Sequence, residues 1–211
     1  MSAIVPNVGT RVFSDLTPTV ASIDARQTYI GMCLPAPNAD NSIEMHKPIA
    51  VSTEDSETIA LLGDGVAKDA IEQIAMAGIS TDIIFSRCED DPDEATQLGH
   101  IAGSAASKTG VWALAEALSE IGLEPGLIIA PEFSHQRPGD AANPVVTAAE
   151  GVCNKIIDCF VVADCDGTTR ETAAASAADF ATSLNILMGY PRVKIWKNGA
   201  DATAPMSTSW A

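Results

Sequence analysis

Four side chains stand where chemistry could be done. Ser134 and His135 follow the apolar run Leu127, Ile128, Ile129, Ala130, while Asp164 and Asp166 follow the run Phe160, Val161, Val162, Ala163. Open α/β folds gather their active sites outside the carboxyl ends of strands. A serine nucleophile, a histidine base and an orienting carboxylate are the groups such a site would need for acyl transfer. Ser134 and His135 are adjacent, however, and neighbours on extended chain point apart, so they cannot serve each other as nucleophile and base. Only a fold that carries His135 to Asp164 or Asp166 would complete the constellation. An α/β enzyme or small-molecule-binding domain using these strand ends is therefore the alternative reading.

Other motifs reduce to structure. The stretch GSAASKTG at 103–110 offers Lys108 and Thr109 in the manner of a phosphate-binding loop, but Ala102 and Ser107 stand where glycines are needed. It also follows a predicted helix instead of a strand. Neither a GxSxG elbow nor a GxGxxG fingerprint occurs. The acidic run Glu89, Asp90, Asp91, Pro92, Asp93, Glu94 lacks calcium-loop spacing. It predicts a helix start, with Asp91 as the cap, Pro92 at the first helical position and Glu94 completing a capping box. Asp164, Cys165, Asp166 and Gly167 make half a calcium loop and then fail, which suits a turn feeding a helix. His46 and His100 are isolated and read as surface or capping histidines. No catalytic, metal-binding or cofactor-binding set is predicted, and no cofactor.

Composition narrows the partners. Twelve basic against twenty-eight acidic residues give a formal charge of −16, which argues against direct contact with nucleic acid, since phosphate binding needs a basic footprint. The five cysteines, Cys33, Cys88, Cys153, Cys159 and Cys165, are odd in number and contain no CxxC pair. They read as reduced thiols of a protein folded in the cytoplasm, several of them small hydrophobes in apolar runs. Pro6, Gly9 and Arg11 interrupt any apolar signal region, no run approaches membrane-spanning length, and no membrane partner is expected.

The elements follow from periodicity. Residues 110–136 are the organising stretch: Val111, Leu114, Ala115, Leu118 and Ile121 share one face at helical spacing, Gly122 and Pro125 stop the helix, and residues 127–130 form a strand apolar on both sides. Such a strand belongs in the middle of a parallel sheet covered by helices. Further strands are predicted at 28–34, 48–51, 82–86, 160–163, 185–188 and 193–196. Helices are predicted after Ser52 as a cap, with Glu54 and Asp55 in the first turn, and at 66–77, where Ala67, Ala70, Ile71, Ile74 and Ala75 face inward. Another runs to about Gly103, and one starts at Asn143 and Pro144, with Val145, Ala149, Val152 and Ile156 inward. The last runs to about Thr182 behind a Thr168–Glu171 capping box. The alternation predicts an α/β fold, an open, mainly parallel sheet with helices on both faces. Residues 1–20 hold too little apolar surface to fold alone, so this segment is either loose or pairs with something else.

Taken together these stretches resemble a known family. GTRVF near the start, TYIGMCLPAPNAD, KPIAVSTEDSETIALLGDG followed by KDAIEQI, then TGV with P.LIIAP.FSHQ, and finally PRVKIW resemble, in that order, the contractile-tail sheath proteins of phages and phage-like particles. The resemblance implies a structural subunit without enzymatic activity, whose central domain is subtilisin-like in fold. It implies helical polymerisation around a tail tube and contraction that drives the tube through a cell envelope. Implied partners are neighbouring sheath subunits through strand addition, the tail tube protein, and the baseplate and tail terminator. The implied location is the virion tail or a phage-like particle, assembled in the host cytoplasm. Gly9, Thr10, Arg11, Val12 and Phe13 would belong to the intersubunit arm. The implied organisation is an extended N-terminal arm at 1–20, an α/β domain at 21–197, and at 198–211 the start of a C-terminal assembly region that is cut short.

Overall fold

The computed structural model describes residues 28–78, 80–167, 169–197 and 200–204, with 194–197 and 200–204 described as backbone. The arm residues Gly9 to Phe13 lie outside this set. Six strands form one sheet: β1 (Tyr29–Pro35), β2 (Pro48–Ser52), β3 (Asp82–Cys88), β4 (Pro125–Ile129), β5 (Phe160–Asp164) and β6 (Ile186–Gly189), in the order β2-β3-β1-β4-β5-β6. Only β2 runs antiparallel to its neighbour; the other pairings are parallel. β4 sits between β1 and β5, the central place that its doubly apolar run requires.

Successive side chains on a strand point to opposite faces, and the core divides accordingly. Ile30, Met32 and Leu34 of β1, Ile83 and Phe85 of β3, Ile129 of β4 and Val162 of β5 pack on one face. That face is covered by α1 (Ser56–Leu61) and α2 (Val66–Met76) through Ile59, Ala67, Ala70, Ile71 and Ile74. Cys33, Ile84, Cys88, Ile128, Val161 and Ala163 point the other way. There they meet Leu98 and Ile101 of α3 (Glu94–Ala102), Val111 and Leu114 of the following helix, and Val145, Ala149 and Val152 of α5 (Pro144–Cys153). The mainly parallel sheet with helices on both faces is therefore observed. α6 (Arg170–Ala178) connects β5 to β6, and β7 (Val193–Lys197) pairs with β8 (Ala200–Ala204) as a separate antiparallel hairpin.

Several local expectations are corrected. The helix at 110–121 begins as a 3₁₀ helix, Gly110–Glu116, and only its last turns, α4 (Ala117–Ile121), are α-helical. At three residues per turn the buried positions form two adjacent columns, Gly110 with Ala113 and Val111 with Leu114 and Ala117, and Leu118 is swung out to 56% exposure. Gly122 does end the helix, in the left-handed region at φ 73°. The caps lie further along than expected. Asp55, not Ser52, caps α1, its carboxylate accepting from the amides of Glu57 and Thr58. Asp93, not Asp91, caps α3 by accepting from Thr96 N at 2.9 Å. α6 is capped by Thr169 with Thr172 in a reciprocal box, and ends at Ala178; Thr168 lies outside the described residues. Several Ser, Thr or Asp candidates sit close together at these starts, and the one whose backbone is non-helical immediately before the first helical residue becomes the cap. Phe160 opens β5 at 51% exposure, so that strand is buried only from Val161 onward.

Candidate functional site

β4 ends in a turn in which Phe133 and Ser134 donate their amides to Ala130 O. This turn drops Ser134 onto the carboxyl end of β5. Its hydroxyl donates to Asp164 Oδ2 at 3.3 Å and accepts from the Asp164 amide at 3.0 Å. Both residues are buried, at 3% and 2% exposure, so the oxygen that would act as nucleophile is closed off from solvent. The pair ties the ends of two neighbouring parallel strands. His135 is not recruited: among the described residues it makes no side-chain hydrogen bond or ion pair, with Asp164, Asp166 or any other group. Of the four residues that the alternative reading would use, the fold brings Ser134 and Asp164 together as a structural bond and leaves the base outside it. The neighbouring thiol of Cys165 is pushed up by burial and then by the carboxylates of Asp164 and Asp166, which keeps it protonated and a weak nucleophile.

The polar segment after β4 is bound down rather than poised. Asn143 is 2% exposed and uses both ends of its amide. Its nitrogen donates to Phe133 O at 2.7 Å and Gln136 O at 2.8 Å, and its oxygen caps α5 by accepting from Val145 N and Val146 N. Arg137 reaches Asp179 beyond α6, its Nε donating at 2.9 Å, and Arg192 pairs with Glu132. Asn143 was legible as a helix start; its hold on the preceding turn was not, because a cap motif carries no signal for bonds made backward.

The two remaining motifs also resolve into architecture. Residues 103–110 follow α3 and close into a tight clasp. Gly103 and Gly110 both have φ of 62°, and a Cβ on Gly103 would sit 2.0 Å from Thr109 O. The amide of Ser104 donates to Thr109 Oγ1, that of Ala106 donates to Ser104 Oγ, and Lys108 pairs with Glu116 at 2.7 Å. The amides of Ser104, Ala106 and Thr109 and the lysine thus have partners inside the loop or beside it and are not turned toward a phosphate. The acidic run folds over the buried Gln97, which donates to Glu89 O and accepts from Asp91 N, while Asp91 Oδ1 accepts from Asp93 N. No group of three His, Cys, Asp or Glu residues able to hold a metal ion is found among the described residues.

His46 departs from its expected isolation. Its Nε2 lies 3.0 Å from Glu89 Oε1, and its Nδ1 accepts from the Gly110 amide at 3.2 Å. Accepting at Nδ1 leaves the proton on Nε2, directed at Glu89, whose carboxyl is held below its usual range in spite of partial burial. The ring therefore joins three segments, the loop after β1, the end of β3 and the start of the 3₁₀ helix. Partners 43 and 64 residues away leave no trace in a motif search.

The arrangement supplies packing, clasps and caps, and a hydroxyl–carboxylate bond between strands. No family model matches the chain. A protein of Pseudomonas aeruginosa (strain UCBPP-PA14) described as a prophage major tail sheath protein is 27% identical over 208 residues, taking in 92% of this chain and 51% of the relative. The chain therefore spans about half the length of that relative. The cryo-EM structure of the anti-feeding prophage helical sheath in its contracted state is also matched, with a TM-score of 0.46 and 14% identity over 88% of this chain and 44% of that one. Along nearly its whole length the chain is similar to a tail sheath protein, the family that its own motifs resemble.

Proposed function

We propose that the chain is part of a structural subunit of a contractile tail sheath, which polymerises helically around a tail tube and contracts to drive that tube through a target cell envelope. The observation that carries the reading is the similarity to a prophage tail sheath protein over 92% of the chain. The role is structural and not catalytic, in keeping with a strand-end serine whose hydroxyl is closed off by Asp164. In this reading residues 21–197 are the α/β body, residues 1–20 are an arm whose segment Gly9, Thr10, Arg11, Val12, Phe13 adds a strand to a neighbouring subunit, and residues 198–211 lead into an assembly region. The tail tube protein, baseplate and tail terminator are the further partners, and the assembled location is the tail of a virion or phage-like particle built in a bacterial cytoplasm. Strand addition suits a sheath because backbone hydrogen bonds hold subunits together while flexible connections let their bodies move.

Immunogold labelling of tail particles from the organism that carries this sequence is the test. Label along the length of the tail is expected, and particles that carry no label would overturn the reading. Deleting residues 1–20 addresses the arm separately: loss of ordered sheath with the α/β body still folded is expected, whereas normal sheaths would remove the arm from the mechanism.

A further inference from the structure

Cys153 and Cys159 occupy the two ends of one short connection. Cys153 is the last residue of α5, and Cys159 immediately precedes β5. Both are buried in the same apolar cluster, at 3% and 4% exposure, and their sulfurs lie 2.9 Å apart. A disulfide bond of about 2.05 Å would require the sulfurs to close by less than an ångström. The five residues between them form a turn that is anchored by the buried Ile156 and by the amides of Lys155 and Ile156, which donate to Val152 O and Cys153 O. Asn154, Lys155, Ile157 and Asp158 are exposed, Ile157 at 72%, and Asp158 holds a left-handed backbone at φ 60°. Aspartate is one of the few non-glycine residues that adopt that region readily, and the exposed residues of this turn are the part from which local opening can start. The second close pair is built differently. Cys33 and Cys88 lie on adjacent parallel strands, β1 and β3, inside the sheet and at 0% and 1% exposure, with no comparable surface turn between them.

We propose that Cys153 and Cys159 are a dithiol site that takes up a small disulfide, of the glutathione class, and is converted to an intramolecular disulfide stapling the end of α5 to the start of β5. When the turn opens, one cysteine thiolate attacks a sulfur of the small disulfide, forming a mixed disulfide and expelling one small thiol. The other cysteine then attacks the protein sulfur of that mixed disulfide and expels the second small thiol. Two protein thiols are oxidised to one disulfide, the small disulfide is reduced to two thiols, and the two S–H protons leave with them. In the closed state the Cys153 thiol is pushed up, first by its hydrogen bond with Cys159 and then by burial, so the reaction is gated by opening of the turn. The site therefore remains reduced in a reducing cytoplasm and closes after passage to oxidising surroundings. It stands independently of the sheath reading.

The test incubates the folded, fully reduced chain with oxidised glutathione, quenches it in acid, unfolds it in denaturant so that the buried thiols are all reachable, and then alkylates and examines it by intact-mass and peptide mass spectrometry. The expected result is a fall in alkylated cysteines from five to three, two being consumed, with a cross-linked peptide joining Cys153 to Cys159. Dithiothreitol should restore five. In Cys159→Ser no protein disulfide should form and all four remaining thiols, or three with a glutathione adduct on Cys153, should be recovered. A variant lacking Cys33, Cys88 and Cys165 should still form the link, which shows the pair to be sufficient. Persistence of five alkylated cysteines in the wild-type chain, a stable glutathione adduct that never resolves, or a link between Cys33 and Cys88 instead would each overturn the proposal.

Discussion

Strands β4 and β6 read almost alike, Leu127, Ile128, Ile129 against Ile186, Leu187, Met188, yet their fates differ. β4 has a parallel neighbour on each side, and Ile128 and Ile129 are 1% exposed. β6 is the last strand of the sheet; Leu187 is 53% exposed, although it stands in register with the buried Val162. An apolar run thus reports that a strand exists, while its place in the sheet decides how much of it is dry.

That contrast predicts unequal penalties for the same change. Ile129→Asp puts an unpaired charge in the central strand and is expected to cost about 3–5 kcal/mol in urea unfolding, or to prevent folding outright. A native-like midpoint would mean that β4 is not central. Asn143→Ala tests the turn that follows β4, removing a helix cap and two hydrogen bonds to partly buried carbonyls; a loss of about 2–3 kcal/mol is expected by the same measurement. A loss below about 1 kcal/mol would show that water replaces the amide and that the turn is not tied down by it. Leu187→Asp, the edge counterpart of the first variant, should cost under about 1 kcal/mol, because an exposed edge position already meets solvent. Equal penalties for Ile129→Asp and Leu187→Asp would abolish the distinction between the strands.

The smallest effect concerns acid. The carboxyl of Asp55 is held below its ordinary range by the hydroxyl and then the amide of Thr58, and that of Asp93 by the amide and then the hydroxyl of Thr96. With folded pKa values below the unfolded ones, these groups stabilise the fold above the ordinary carboxylate value of about 3.9. Their contribution is lost as pH falls from there through the depressed folded values. A double Asp55→Ala, Asp93→Ala variant should therefore be slightly less stable near neutrality and show a shallower decline of thermal midpoint in acid. Parallel pH profiles for variant and wild type would show that the two caps contribute nothing measurable.

Much of the fold was legible because it rests on local periodicity. The stop at Gly122, the doubly apolar run at 127–130 and the inward faces of α2 and α5 follow from spacing and backbone chemistry within a few residues. The caps were harder. Where Ser52 and Asp55, or Asp91 and Asp93, stand within a turn of each other, the choice depends on where the backbone enters the helix. The stripe at 111–121 failed for a different reason: spacings of three and four coexist in the sequence, and packing against the sheet selected the three-residue turn, which buries Ala117 and exposes Leu118.

The candidate site divides in the same way. By itself the sequence determined that Ser134 and His135 cannot serve each other, that residues 103–110 do not make a phosphate loop, and that the acidic run opens a helix, since each conclusion needs only neighbouring residues. Only the tertiary structure decided that Ser134 would close onto Asp164, that His46 would bridge Glu89 and Gly110, and that Cys153 and Cys159 would meet. Hydrogen bonds and sulfur contacts act over about 3 Å; the order of strands in the sheet brings the distant pairs within that range, and the turn between α5 and β5, folded against the core, does so for the two cysteines.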